Sequence, residues 1–181
     1  ETIYSYIYIH SRPHLRRKLL FYLRRKHKYR RDRGKARQKT NPIQNYVSID
    51  QRPIEVNDRK IAGHWEGDLI VGPRNASAIG TLVERTTRLT LIVKLQARDA
   101  ASVRQAFEET FERLPEHLKR SLTYDQGQEM AGHSEFSKNT KIAVYFAHPH
   151  SPWERGTNEN TNGLIRDFLP KGTDFSKVSE E

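Results

Sequence analysis

The spacing of apolar residues changes several times along this chain, and each change predicts an element. Residues 3–9, Ile-Tyr-Ser-Tyr-Ile-Tyr-Ile, are β-branched and aromatic, but the run is too short to separate a strand from the end of a helix. Leu15, Leu19, Leu20 and Leu23 recur at helical spacing among Arg16, Arg17, Arg24 and Arg25, which predicts a basic amphipathic helix decaying into a polar tail over residues 30–39. Residues 40–60 carry Pro42, Pro53 and several Asn and Asp; they read as a connector, with Ile54 and Val56 docking on the domain after it. From Gly63 the period drops to two. Residues 64–72 read as a strand with His64, Glu66, Asp68 and Ile70 on one face and Trp65, Leu69 and Val71 on the other. Residues 78–84 and 89–95 are two more strands, with a hairpin at Arg85-Thr86-Thr87-Arg88. Asp99 caps a helix to about Arg113, whose apolar stripe is Val103, Phe107 and Phe111. A short strand at 121–125, a short helix at 132–139 and a last strand at 142–147 complete the middle of the chain. After Pro152 a loop turns into a final helix, capped by Gly156 or Thr157, with Ile165, Phe168 and Leu169 as its buried side.

Three strands in a row imply an antiparallel meander, and strands alternating with helices imply parallel additions. The predicted class is therefore α/β: one mixed five-stranded sheet flanked by helices, which is the ribonuclease-H-like layout, preceded by a basic helical arm. The expected domains are the arm over 1–41, a linker over 42–60 and the core over 61–181.

Composition adds a division of charge. Residues 12–39 hold 14 of the 32 Lys and Arg and a single acid, Asp32, so this arm carries +13; residues 40–181 hold 18 basic and 20 acidic residues and carry −2. Acidic partners are implied for the arm, not for the whole surface. If about 6–10 of its charges met phosphates, affinity for DNA would fall roughly 10³- to 10⁵-fold between about 50 and 200 mM salt. At 181 residues one sizeable domain is expected, burying roughly 70% of its unfolded surface. The absence of cysteine excludes disulfides and cysteine-based zinc modules. No apolar run reaches spanning length and no signal peptide opens the chain, so a soluble, intracellular protein is the expectation. Residue 1 is Glu and the only methionine is Met130, which reads as a fragment of something longer.

The candidate chemistry lies in three acids. Asp68 falls in the first strand, Asp125 at the end of the fourth and Glu159 in the first turn of the last helix. If the first and fourth strands are neighbours, the aspartates meet at one end of the sheet and the helix can present Glu159 to them. Three such carboxylates repel one another, and magnesium resolves the repulsion with hard oxygen ligands. Two ions about 3.5–4 Å apart clamp the attacking and leaving oxygens of a phosphodiester displacement. On the same helical face as Glu159 lie Asn162, Gly163 and Arg166, a set suited to a metal beside a nucleic-acid backbone. Each acid also has an ordinary reading: Asp68 paired with an arginine, Asp125 in an Asx turn before Gly127, Glu159 as a partner of the helix dipole. His133, His148 and His150 read as surface or loop histidines rather than ligands.

Five blocks carry a resemblance: Gly63-His64-Trp65-Glu66-Gly67-Asp68-Leu69-Ile70, Thr81-Leu82-Val83-Glu84-Arg85, Thr123-Tyr124-Asp125-Gln126-Gly127, Ser151 through Leu164 (Ser-Pro-Trp-Glu-Arg-Gly-Thr-Asn-Glu-Asn-Thr-Asn-Gly-Leu), and Pro170-Lys171-Gly172. Over residues 43–175 the chain resembles the bacterial transposases of the insertion-sequence-thirty family, whose DDE core is related to retroviral integrases. The resemblance implies that Asp68, Asp125 and Glu159 are the catalytic, metal-binding triad, the last two separated by 33 residues as in that family. It implies Mg²⁺ or Mn²⁺, two ions, cleavage at mobile-element ends and transfer of the freed 3′-hydroxyl to target DNA. Water is the nucleophile in cleavage and the 3′-hydroxyl in transfer. Arg155, Asn158, Asn160 and Lys171 match positions expected to touch DNA, with Asn158 and Asn160 serving equally well as supports of the helix start. Gln126 and Glu154 depart from the Asn and Gln common there, and neither replaces a metal ligand. The first residues match the tail of the family's N-terminal helix-turn-helix region, and the chain stops before its C-terminal element. The expected partners are element terminal repeats and target DNA, with no membrane, a homo-oligomer when active, and a cytoplasmic, nucleoid-associated location. A catalytically silent DNA-binding fragment and a metal-dependent nuclease are the alternatives.

Overall fold

In the computed structural model of the chain, residues 6–22 and 43–179 are described. The chain divides into two compact units, Glu1–Lys39 and Thr40–Glu181. In the first, the ambiguous aromatic run resolves as helix: Tyr6–His10 is a single π-helical turn, closed by the Ser11 hydroxyl donating to the Ile7 carbonyl at 2.6 Å. Helix α1 (Pro13–Tyr22) comes next, opening on a proline that has no N–H to leave orphaned. Its leucines are half-buried and Arg17 is exposed. The Arg16 guanidinium lies over the Tyr8 ring, 5.9 Å from its centroid. Arg24, Arg25 and the polar tail lie outside the described residues.

The second unit begins earlier than the expected core. Residues 43–60, expected as a connector, are largely exposed but anchored to the second unit at a few points. Ile43 and Val56 are buried, and Ser48 bridges to Phe146 of the sheet. Val56 belongs to the one-turn helix α2 (Glu55–Asp58), but Ile54 stays 83% exposed instead of docking.

The sheet consists of β1 (His64–Val71), β2 (Ala78–Glu84), β3 (Thr90–Lys94), β4 (Ser121–Tyr124) and β5 (Ala143–Phe146), in the order β3-β2-β1-β4-β5. The first three pair antiparallel; β4 joins β1 in parallel and β5 joins β4 in parallel. This is the mixed ribonuclease-H-like sheet that the element order predicts. Helices α3 (Ala100–Glu112), α4 (His133–Thr140) and α5 (Gly156–Phe168) flank it. Asp99 caps α3, accepting from the amides of Ala101 and Ser102, as expected.

Alternation along β1 assigns the two faces. Trp65 points into the main core with Leu82, Leu122, Val103, Phe107 and Phe111, all fully buried. Ile70 points the other way, into a smaller cluster with Ile79 and Phe175 on which Ile165 and Leu169, from the last turn and the end of the final helix, rest. Glu66 and Asp68 share the parity of Ile70, so both acids face α5. Phe168, expected on the buried side of that helix, is 86% exposed, while Ile165 and Leu169 make the apolar contact with the smaller cluster. Neither Gly156 nor Thr157 caps α5. Arg155 holds the cap position without a side-chain bond, Gly156 is already helical, and Thr157 is buried. A 3-10 turn, Pro152–Arg155, leads directly into the helix.

Candidate active site

Because β1 and β4 are parallel neighbours, Asp68 and Asp125 emerge toward the same end of the sheet. Gly67 allows the close fit beside them. A Cβ there would come within 2.7 Å of the Tyr124 ring, so any side chain would push β1 from the residue that precedes Asp125. One guanidinium joins the two aspartates. Arg155 Nη2 is 3.2 Å from Asp125 Oδ2, and Nη1 is 3.5 Å from Asp68 Oδ2 while donating to the Gly67 carbonyl at 3.0 Å. Asp68 Oδ1 accepts the Leu69 amide at 2.8 Å, and its Oδ2 accepts Asn162 Nδ2 at 3.0 Å. Asp125 Oδ1 accepts the Gly127 amide at 2.9 Å, forming the Asx turn. The ordinary readings of both aspartates are therefore realised within a candidate site, and they do not compete with a chemical role.

Burial pushes the Asp68 carboxyl up from its ordinary range; Arg155 pulls it back and the charge of Asp125 adds to the rise. Glu129, which sequence reasoning overlooked, lies at the same place. A Cβ on Gly127 would collide with its carboxylate, and Glu129 is raised by burial and by the charges of Asp125 and Asp68. No spacing rule marks Glu129; only the turn after β4 brings it in.

The start of α5 is pinned from below by a buried polar network. Glu66, fully buried, forms an ion pair with Arg85, which is 5% exposed. The other oxygen of Glu66 accepts the Asn158 amide at 2.8 Å, and Asn158 Nδ2 donates to the Glu66 and Thr81 carbonyls at 2.9 and 3.1 Å. A carboxylate thus meets a helix N-terminus, a pairing that the helix dipole favours. Asn158 is completely buried with its amide spent, so it supports the helix start rather than reaching out to DNA. Its neighbours Glu159 and Asn160 are exposed, as is Lys171. Arg166 is also committed. It donates to the carbonyls of Val71, Leu169 and Pro170 and lies 5.6 Å over the Phe175 ring, so it braces the C-terminal end of α5.

Among the described residues, no three acids or histidines stand close enough together to hold a metal ion as they are. The donor chemistry nevertheless fits a hard divalent cation. Two carboxylates face each other across a single guanidinium, burial penalises the charge of Asp68, and exposed Glu159 follows the buried Asn158 on the adjoining helical turn.

The histidines divide. His133 is buried, not at the surface, with Nδ1 and Nε2 near the carbonyls of Met130 and Asn45. His148 is exposed and sits between two acids, Nε2 at 3.0 Å from Asp50 and Nδ1 at 2.9 Å from Glu154, just before the turn that carries Arg155. The Glu154 contact raises its pKa, chiefly through the hydrogen bond. A histidine raised on folding adds stability that is complete below the unfolded value and lost as pH rises through the folded one. Unfolding free energy measured in urea should therefore decline as pH rises above about 6.5, and His148→Gln should flatten that decline. Identical slopes for the two proteins would remove His148 from the account.

The sequence profile of the integrase core domain family matches residues 58–152, just over half of the chain. Across all of this chain and 53% of its own length, the transposase for insertion sequence element IS1086 of Cupriavidus metallidurans is 51% identical. Transposase InsI for element IS30A of Escherichia coli is 45% identical over 99% of this chain and 48% of its own length. The chain thus spans about half the length of the curated relatives it matches. Among solved structures, the catalytic core domain of BIV integrase superposes with a TM-score of 0.49 at 19% identity, covering 60% of this chain and 69% of that one. The chain belongs to the integrase core domain family, among the transposases of the insertion-sequence-thirty group.

Proposed function

We propose that this chain carries the catalytic core of a transposase, which cleaves DNA at the ends of a mobile element with a divalent metal and joins the freed 3′-hydroxyl to target DNA. One observation carries the reading: Asp68 and Asp125 meet across Arg155 at the end of the sheet where α5 begins. In this reading Asp68, Asp125 and Glu159 hold Mg²⁺ or Mn²⁺, two ions in the full complex. The bound metal supplies a lowered pKa for the attacking water or 3′-hydroxyl and steadies the leaving oxygen. The protein's own part is placement. Gly67 and Tyr124 keep β1 on β4, Asn162 orients Asp68, the Gly127 amide orients Asp125, and the Glu66–Asn158 bonds set the first turn that bears Glu159. Arg155 holds the aspartates together and is free to turn to a phosphate when a cation takes its place.

The DNA contacts proposed are Arg155, Asn160 and Lys171 around the site and Arg16, Arg17, Arg24 and Arg25 on the arm, working as a homo-oligomer on the two element ends. Among the described residues no helix is long and apolar enough to cross a membrane. A cytoplasmic, nucleoid-associated location follows from DNA as substrate.

Incubation with Mg²⁺ or Mn²⁺ and labelled element-end DNA tests this. Cleavage that chelation stops, together with joined products, is the expected result. Nicks without joining would move the reading to a nuclease. Salt-sensitive binding without cleavage in either metal would leave a silent DNA-binding fragment.

A further inference from the structure

A cavity of about 470 Å³ opens beside the turn that leads into α5. That size lies within the range of small-molecule sites. Trp153, 66% exposed, forms one wall, and the exposed Ile54 of the segment before β1 another. Together Trp153 and Ile54 give this cavity an exposed apolar lining. Arg52 contributes the polar edge. Its guanidinium donates to Thr123 Oγ1 at 2.9 Å and to Asn57 Oδ1 at 2.7 Å. Burial and the neighbouring charge of Arg85 press its pKa down to about 10. Its hydrogen-bond partners are a neutral hydroxyl and an amide.

The remaining lining selects among ligands. Asp50 and Glu154 stand at this cavity, each in contact with His148, and they disfavour a free phosphate. The arginines disfavour a metal ion. A flat, neutral ring with polar atoms on its edge suits an indole face, a guanidinium and an amide together. We propose that this cavity binds one unpaired nucleobase of the DNA substrate, stacked on Trp153 with its edge toward Arg52 and Asn57. Trp153 and Arg155 belong to the same single turn, so the nucleotide taken there lies next to the aspartates that Arg155 bridges. A base within a closed duplex presents no free face, so the site selects a strand end, a mismatch or an extruded nucleotide. The proposal rests on the reading of DNA as the substrate.

The two tryptophans make the test direct. Trp65 is fully buried, its indole N–H bonded to the Leu118 carbonyl, and supplies a constant background. A short single-stranded oligothymidylate, added to the full chain at about 200 mM salt to weaken contacts of the arm, should quench Trp153 emission, and the quenching should vanish in Trp153→Phe. By anisotropy of the labelled oligonucleotide, Trp153→Ala should bind roughly 5- to 150-fold more weakly, while Trp153→Phe, which keeps a stacking ring, stays within a few-fold of the parent. Fully paired DNA should show neither effect. An unmoved Trp153 signal at saturation, or equal affinity for the parent and Trp153→Ala, overturns the proposal, as does equal loss on paired DNA. Asp125→Asn separates the two readings: quenching retained with cleavage lost supports both. A parent that cleaves element ends without quenching leaves the transposase reading standing and removes the nucleobase site. Quenching by a parent that never cleaves does the reverse.

Discussion

Asp68→Asn should lower cleavage of element-end DNA by roughly 10³-fold or more while leaving the folded protein as stable as the parent, or more so. Both effects have one cause. Asp68 is held with its carboxyl raised by burial and by the nearby charge of Asp125, and Arg155 compensates only in part. An acid whose pKa is raised on folding weakens the native state at pH values above it, and the loss develops as pH rises through that window. Asparagine keeps the shape and can still accept the Leu69 amide, but it carries no charge to repel Asp125. It is equally unable to neutralise a cation. Thermal melting should show the parent gaining stability on addition of Mg²⁺ and Asp68→Asn gaining little. Undiminished cleavage in the variant would end the case for Asp68 as a ligand, and a marked drop in melting temperature would show that Arg155 outweighs the repulsion.

Removing one partner of the Glu66–Arg85 pair should be the costliest single change to stability near the site. Glu66→Ala leaves the Arg85 charge buried without its carboxylate and the Asn158 amide without its acceptor. Breaking a buried pair in this way costs about 3–5 kcal/mol, read as a shift in the urea midpoint at unchanged slope. Glu66→Gln retains an acceptor for Asn158 and should cost less. Replacing both partners by apolar residues of similar volume should recover much of the loss, since the bridge is expensive to bury in the first place. A cost below about 1 kcal/mol for Glu66→Ala would mean that Arg85 finds water or another partner and that α5 is held mainly by Ile165 and Leu169.

Much of this architecture was legible because it comes from local rules. The period-two run after Gly63 gave β1 its correct faces, so Glu66, Asp68 and Ile70 were already grouped on the side that meets α5. The Asp99 cap and the stripe of Val103, Phe107 and Phe111 defined α3 within a residue. Residues 43–60 were half legible: proline and asparagine mark the turns of a largely exposed connector, and Val56 docks as its apolar character suggests, but which apolar residue of the pair Ile54 and Val56 turns inward depends on the tertiary contacts. Phe168 misled because helical spacing says which residues share a face, not how far along a helix the contact extends.

By itself, the sequence determined the element order, the sheet's mixed pairing and the three acids worth watching, since periodicity, caps and strand parity act over a few residues. The tertiary structure alone decided how those acids are held. It placed Arg155 between two aspartates from distant strands, set Glu66 beneath the helix start with Arg85 as its counter-ion, turned Asn158 inward, and gathered Arg52 and Trp153 around one cavity. Charge compensation and burial depend on which residues become neighbours across long separations in sequence, and that information exists only once β1 has paired with β4 and α5 has docked on their common face.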